Sequence, residues 1–398
     1  GGVEPMDLSA PFAQPPLPER LRRLAASAEE AGDVAPDVYG AAPGLQRFEA
    51  EVAELLGKQA AAFFPTGTLA QRAALHVHRR HLGAAAGRVI LHPTSHLAHH
   101  DCLRDGAAQA KRAKTEAATR LPSFPVEFVG ELQHALALRD FTADGAGVRQ
   151  NDVVVVELPQ RMNGGRTMSW EDLEGLAKLA EAAGAVLHMD GARLWEVQPF
   201  YGRPLPEICR LFRSVYVSVY KGLGAMSGAV LCGDADFVAA SLEFRELLGG
   251  SVHAFAPAWI DARVQLRQCV LEEGFRLRFE KLREVVRALS EDSAVGRVVR
   301  FEPPVPQACM VHGYVRGTEE SLEAAHTRVR EATGARLWNR LRGRGYARAA
   351  DGAAAGATAA PEDEMYFEWN MGPANAAVPT AAYLKAWGAF AQEMTPAG

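Results

Sequence analysis

Three apolar segments separated by helix-length stretches constrain this chain most: NDVVVVELP (151–159), AVLHMD (185–190) and SVYVSVY (214–220). The first is an unbroken β-branched run bounded by turn residues, the pattern of a strand covered on both faces. Between the first two lies SWEDLEGLAKLAEAAG, with Ser169 and Asp172 spaced as a capping box and Gly184 as a stop. Strands alternating with helices predict parallel βαβ units, and hence an α/β domain with helices on both faces of its sheet.

Upstream, LQRFEAEVAELLGKQ sets Leu45, Phe48, Val52, Leu55 and Leu56 on one helical face and ends at Gly57. A short apolar strand, AAAFF, a Pro65-Thr66-Gly67-Thr68 turn and a second helix follow. Residues 1–36 read as an N-terminal arm, Pro-rich and then helical from about Glu19 to Glu30. A large domain is expected over 37–256 and a long connecting helix over 257–290, interrupted near Gly274. The remainder, 291–398, mixes strand-like pieces with helices and a low-complexity stretch, DGAAAGATAAP, and predicts a small α+β domain.

With 398 residues, 48% of them apolar, the chain can bury a large core divided among domains. A formal charge of −5 from 43 basic and 48 acidic residues argues against a nucleic-acid partner, which needs a concentrated basic surface. No apolar run reaches the length a bilayer requires, so no membrane partner is expected. Five scattered cysteines without a CxxC pair read as reduced, and the expected location is the cytoplasm.

Open α/β sheets bind ligands at the carboxyl ends of their strands, so residues at those ends are the candidates. Gly67 and Thr68 open a helix, where backbone N–H groups and the positive end of the dipole favour an anion. Asp190 ends an apolar strand, where a carboxylate can keep a heterocyclic nitrogen protonated, and Arg193 follows three residues later. Lys221 stands at another strand end, and a partly desolvated amine is a nucleophile. Phosphate cradle, acid and amine together point to pyridoxal 5′-phosphate. His96 and His100 are spaced to share a helical face, but no third ligand or HExxH motif accompanies them, so no metal is expected. His96 can instead stack as a flat ring over the pyridine.

The set DVYG (37–40), FFPTGTLAQ (63–71), Ser95-His96, Glu157 with GGR (164–166), HMDGARLW (188–195) and KGLGAMSGAVLCGD (221–234) resembles low-specificity L-threonine aldolases of the β-eliminating lyase group. The resemblance implies a fold-type I pyridoxal phosphate enzyme with a mainly parallel seven-stranded sheet. It implies that Lys221 carries the cofactor, Asp190 meets its ring nitrogen, Arg193 meets its oxygen and a substrate carboxylate, and Gly67 with Thr68 holds its phosphate. His96 is then the stacking residue and base, with Glu157 and Tyr220 also in the cofactor site and Tyr39 close to the substrate. A homodimer or homotetramer with active sites at subunit interfaces is implied as well.

Departures from the family pattern fall on the substrate side. Where the family carries Glu-Asn-Thr-His, this chain reads Glu157-Leu158-Pro159-Gln160, and Tyr220 replaces a serine before the lysine. His253 and Tyr366 fall near positions where the family has arginines, leaving Arg193, Arg161 and Arg166 as candidates for a substrate carboxylate. The expected activity is cleavage of a β-hydroxy-α-amino acid to glycine and an aldehyde. The alternatives are β-elimination, racemisation or other Cα–H chemistry on an amino acid, or a binding protein on the same fold without catalysis.

Overall fold

The computed structural model describes residues 6–13, 15–32, 35–83, 87–99, 125–131, 134–142, 147–343 and 364–395. His100, Cys102 and the low-complexity stretch 351–361 lie outside them. The chain divides into two compact units, one of residues Pro16–Gln160 and Thr167–Leu271, the other of Gly1–Pro15, Arg161–Arg166 and Glu272–Gly398. The stretch expected as one arm over 1–36 is therefore shared between units. The division near 271 falls inside the expected connecting helix, which is interrupted: one helix runs Ala256–Leu266, a π-turn covers Arg267–Leu271, and the next helix begins at Gly274. Glu273, at φ 58°, turns the backbone there.

The larger unit is built on seven strands: β1 (Ala60–Phe64), β2 (Val89–Leu91), β3 (Val126–Phe128), β4 (Val153–Glu157), β5 (Val186–Gly191), β6 (Ser214–Ser218) and β7 (Ala229–Gly233). Their order across the sheet is β1-β7-β6-β5-β4-β2-β3, and only β7 runs antiparallel to its neighbours. This is the expected α/β architecture. The four valines of β4 are each at most 4% exposed, as a strand covered on both faces requires. Each contributes about 1.5–3 kcal/mol of burial.

Helix α1 (Gly67–Leu82) lies over one face of this sheet. Its small or β-branched residues Ala70, Ala73, Ala74 and Val77 recur at helical spacing and pack on Phe64, Tyr216, Ala229 and Leu231. Helix α2 (Trp170–Ala183) starts where the capping pattern predicts: Ser169 Oγ accepts from the Asp172 N–H, and Gly184 closes the helix in the left-handed conformation.

In the second unit a four-stranded antiparallel sheet orders Arg342–Gly343, Glu364–Asn370, Met310–Arg316 and Val299–Glu302. Alternation with period two separates its faces. Val299, Phe301, Val311, Val315, Phe367 and Trp369 join an apolar core with the helices Gly274–Glu291, Glu319–Thr333 and Thr380–Met394. The opposite face carries Arg300, Glu302, His312, Tyr314, Tyr366 and Glu368.

Candidate active site

Strand register sets the site. Glu157, Asp190 and Tyr216 are successive partners across β4, β5 and β6, so the three side chains reach the same level of the sheet near its carboxyl edge. Beyond β6 the chain does not continue as strand to Tyr220. Pairing with β7 ends at Ser218↔Ala229, and residues 219–228 form a turn closed by Val219 N–H to Gly228 O (3.3 Å), Ala225 N–H to Val219 O (3.0 Å) and Gly224 N–H to Lys221 O (3.1 Å). Lys221 thus stands three residues past the strand end. Trp195 Nε1 donates to the Ser218 carbonyl at 3.2 Å and pins the point where the turn departs.

A cavity of about 310 Å³ opens here, lined among others by Thr66, Gly67, Thr68, His96, Asp190, Tyr220 and Lys221. Six of the candidate residues therefore meet at one place. Thr66 caps α1, its Oγ1 accepting from the Leu69 N–H at 3.2 Å, and Gly67 and Thr68 occupy the first helical positions. A Cβ on Gly67 would lie 2.1 Å from Tyr216 Oη, so no larger residue fits between the strand and the helix end. Asp190 is 1% exposed, and its Oδ1 accepts from the Ala192 N–H at 3.2 Å. Lys221 Nζ lies 6.0 Å from the Tyr220 ring, itself 45% exposed at the rim.

The remaining candidates of this unit support the cavity or stand apart from its lining. Glu157 Oε2 accepts from the backbone N–H of His96 at 3.1 Å and so positions that histidine. Arg193 Nη1 donates to Glu196 Oε1 at 2.8 Å. Gln160 is buried, with its Oε1 taken by the Leu136 N–H at 3.2 Å. Tyr39 and His253 contact each other edge to face at 5.2 Å, and the Tyr39 N–H donates to the His253 carbonyl at 2.9 Å.

Arg161, Arg166 and Tyr366 belong to the second unit and its polar sheet face. Arg161 grips Glu368 with Nη2 at 2.7 Å and Nε at 3.2 Å, and Arg342 shares the same carboxylate at 2.7 Å. Arg166 pairs with Glu302. Neither is a solvated loop charge. Burial holds the His312 imidazole down at about 4, with Glu368 opposing and the two arginines reinforcing the shift. Burial likewise pushes the Tyr366 phenol up.

Two lining residues, Gln71 and Tyr216, are not among the candidates, although Gln71 closes the FFPTGTLAQ motif. Gln71 sits within the periodic helix α1, and Tyr216 within an alternating strand, where each reads as core. Among the described residues no group of three potential metal ligands forms, and no helix is long and apolar enough to cross a membrane.

The chemistry of this lining suits one kind of ligand. Helix-end N–H groups beside an obligatory glycine accept an anionic end, a buried carboxylate stabilises a cationic ring nitrogen, and an amine can attack a carbonyl carbon. The described residues therefore fit pyridoxal phosphate.

The family model for beta-eliminating lyases matches residues 19–337. The chain is a member of the beta-eliminating lyase family, and a lyase. This lyase is 29% identical over 239 residues to low-specificity L-threonine aldolase 1 of Arabidopsis thaliana, covering 59% of the chain and 63% of that protein, just under two thirds of its length. It is 26% identical to the low specificity L-threonine aldolase of Escherichia coli K12, covering 58% of the chain and 66% of that protein. A solved Listeria monocytogenes EGD-E structure, assigned as an L-allo-threonine aldolase, superposes with a TM-score of 0.79 at 27% identity, covering 98% of the chain and 97% of its own. A serine palmitoyltransferase from Sphingomonas wittichii, at 14% identity and a TM-score of 0.63, shares the fold.

Proposed function

We propose that this lyase uses pyridoxal 5′-phosphate to cleave the Cα–Cβ bond of a β-hydroxy-α-amino acid, giving glycine and an aldehyde. The observation that carries the reading is the meeting of Gly67, Thr68, Asp190, Lys221 and His96 around one cavity. When bound, the cofactor supplies an electron sink for the pair of electrons left on Cα. Gly67 and Thr68 hold its phosphate, Asp190 its ring nitrogen, and Lys221 its carbonyl carbon.

His96, oriented through Glu157, takes the proton from the β-hydroxyl as the Cα–Cβ bond breaks. Cα then receives a proton, so atoms balance between the amino acid and the glycine–aldehyde pair. Gln160 does not serve as this base: an amide cannot accept a proton at neutral pH. Arg193, held by Glu196, binds the substrate carboxylate. The threonine aldolase names of the relatives support a small β-hydroxy amino acid as substrate.

The same reading includes assembly as a homo-oligomer in the cytoplasm. It is supported by exposed Val38, Tyr39, Leu247 and Val252, and by four buried free cysteines among the described residues.

The test is product analysis of purified, cofactor-supplemented protein with a panel of β-hydroxy amino acids, alongside Lys221→Ala. Glycine and aldehyde are expected from the wild type, with the visible absorbance of bound cofactor lost in the variant. Ammonia with a keto acid, or a stereoinverted amino acid, would instead establish Cα–H chemistry. Cofactor uptake without turnover would leave a binding protein.

A further inference from the structure

A buried chain of hydrogen bonds runs from helix α1 across the sheet and returns to the cavity. His78 Nε2 lies 2.6 Å from Ser214 Oγ, Ser214 Oγ lies 2.7 Å from His188 Nδ1, and His188 Nε2 lies 2.7 Å from Gln71 Oε1. All four side chains are at most 2% exposed. At the far end, Gln71 Nε2 is buried without a hydrogen-bond partner among the described residues, and Gln71 lines the cavity together with Asp190. A buried N–H left unmet costs about 1–3 kcal/mol, so such a group points to a partner that arrives with a ligand.

The donor directions in the chain follow from chemistry. Burial holds the His188 imidazole down at about 3 and that of His78 well below its ordinary value, so both rings are neutral near neutral pH. A neutral ring has one donor and one acceptor. Since an amide oxygen only accepts, His188 Nε2 carries its proton toward Gln71. Nδ1 then accepts from the Ser214 hydroxyl, whose oxygen accepts from His78 Nε2–H. The reversed amide would turn a carbonyl oxygen into a cavity that already holds the Asp190 carboxylate. The chain therefore fixes Gln71 with its N–H donors on the cavity side. His188 and Asp190 are two apart on β5 and share a face, so the next group along that face from His188 is the carboxylate itself.

Resting on the cofactor reading above, we propose that Gln71 is a further cofactor-binding residue: its buried amide N–H, oriented by His188, Ser214 and His78, is met by pyridoxal phosphate bound in the cavity that Asp190 also lines. The device is assembled from one helix and two neighbouring strands, which ties the donor's orientation to the rigid interior of the sheet.

The experiment titrates cofactor-free protein with pyridoxal phosphate, following visible absorbance, for wild type, Gln71→Leu, Gln71→Glu and His188→Phe. Gln71→Leu is expected to weaken retention about tenfold or more and to shift the absorbance of what remains bound. Gln71→Glu keeps an oxygen for His188 but replaces the N–H donor with a second carboxylate in the lining that already holds Asp190, and is expected to weaken retention further. His188→Phe frees the amide to turn and gives a smaller loss in the same direction.

Melting curves of the cofactor-free proteins identify any variant that does not fold, and Gln71→Glu, nearly isosteric, decides if Gln71→Leu fails. A folded Gln71→Leu or Gln71→Glu with wild-type retention and an unchanged spectrum overturns the inference alone. A wild-type protein that takes up no cofactor overturns the reading beneath it, and this inference with it.

Discussion

Glu196 holds the guanidinium of Arg193 at 2.8 Å while its carboxylate fills the space beside Gly222, where a Cβ would lie 2.6 Å from Oε1 and 2.8 Å from Cγ. The residue after Lys221 and the residue proposed to bind substrate are thus coupled through one carboxylate that is 2% exposed. Gly222→Ala is expected to displace Glu196 and release Arg193, raising KM for the amino acid about tenfold. Glu196→Ala leaves Arg193 without this carboxylate and is expected to cost about 3–5 kcal/mol of stability, read from denaturant midpoints. An unchanged KM in Gly222→Ala would separate Arg193 from substrate binding.

Gly67 answers to Tyr216 in the same way, and here the clash can be relieved. Gly67→Ala is expected to lower cofactor retention at least tenfold and the melting temperature by several degrees, since its Cβ meets Oη at 2.1 Å and Cζ at 2.8 Å. In the double variant with Tyr216→Val the obstruction is gone, and melting should fall no lower than for Tyr216→Val alone. Additive losses would show that the glycine serves something other than this contact.

Acid is expected to destabilise the fold through its buried histidines. In the unfolded chain His188 titrates near 6.5, whereas in the folded protein burial holds it at about 3. The unfolded state binds the extra proton between these values, so this contribution is complete above about pH 6.5 and is lost as pH falls toward 3. Glu49 acts oppositely: burial raises it to about 7, so its contribution is complete below its ordinary value of 4.5 and lost as pH rises through 7. Melting temperatures of His188→Phe between pH 7.5 and 5 should therefore fall less steeply with acid than those of wild type. Parallel slopes would refute the assignment.

On the polar sheet face of the second unit, Glu368 stands between Arg161 and Arg342. Glu368→Gln leaves two guanidiniums without their shared anion and is expected to cost about 2–4 kcal/mol. It also removes the group that opposes the downward shift of His312, so the titration of that ring, followed by NMR, should move lower still. A His312 titration that rises would show that the arginines move away when their partner is lost.

The sites most legible in the sequence were those whose residue types announce chemistry at strand ends. Asp190 closing an apolar run and a lysine before glycines could be read directly, and their meeting at one cavity follows from the predicted parallel sheet. Tyr216, and Gln71 although it closes the FFPTGTLAQ motif, were passed over because helix and strand periodicity makes an inward polar residue look like core. The partners of Arg161 and Arg166 were equally hidden. Glu368 and Glu302 lie more than a hundred residues away, and only antiparallel pairing in a separate sheet sets them on one face. The strand before Lys221 was read too long, since Val219 and Tyr220 continue its apolar alternation although the ladder has already ended at Ser218.

That short ladder matters for Lys221. Both ends of its turn are strands hydrogen-bonded to each other in the interior of the sheet, and the turn is closed by its own backbone bonds. The turn can therefore open by losing those local bonds while β6 and β7 stay paired, and the fixed strand ends limit how far Lys221 can travel from the sheet edge.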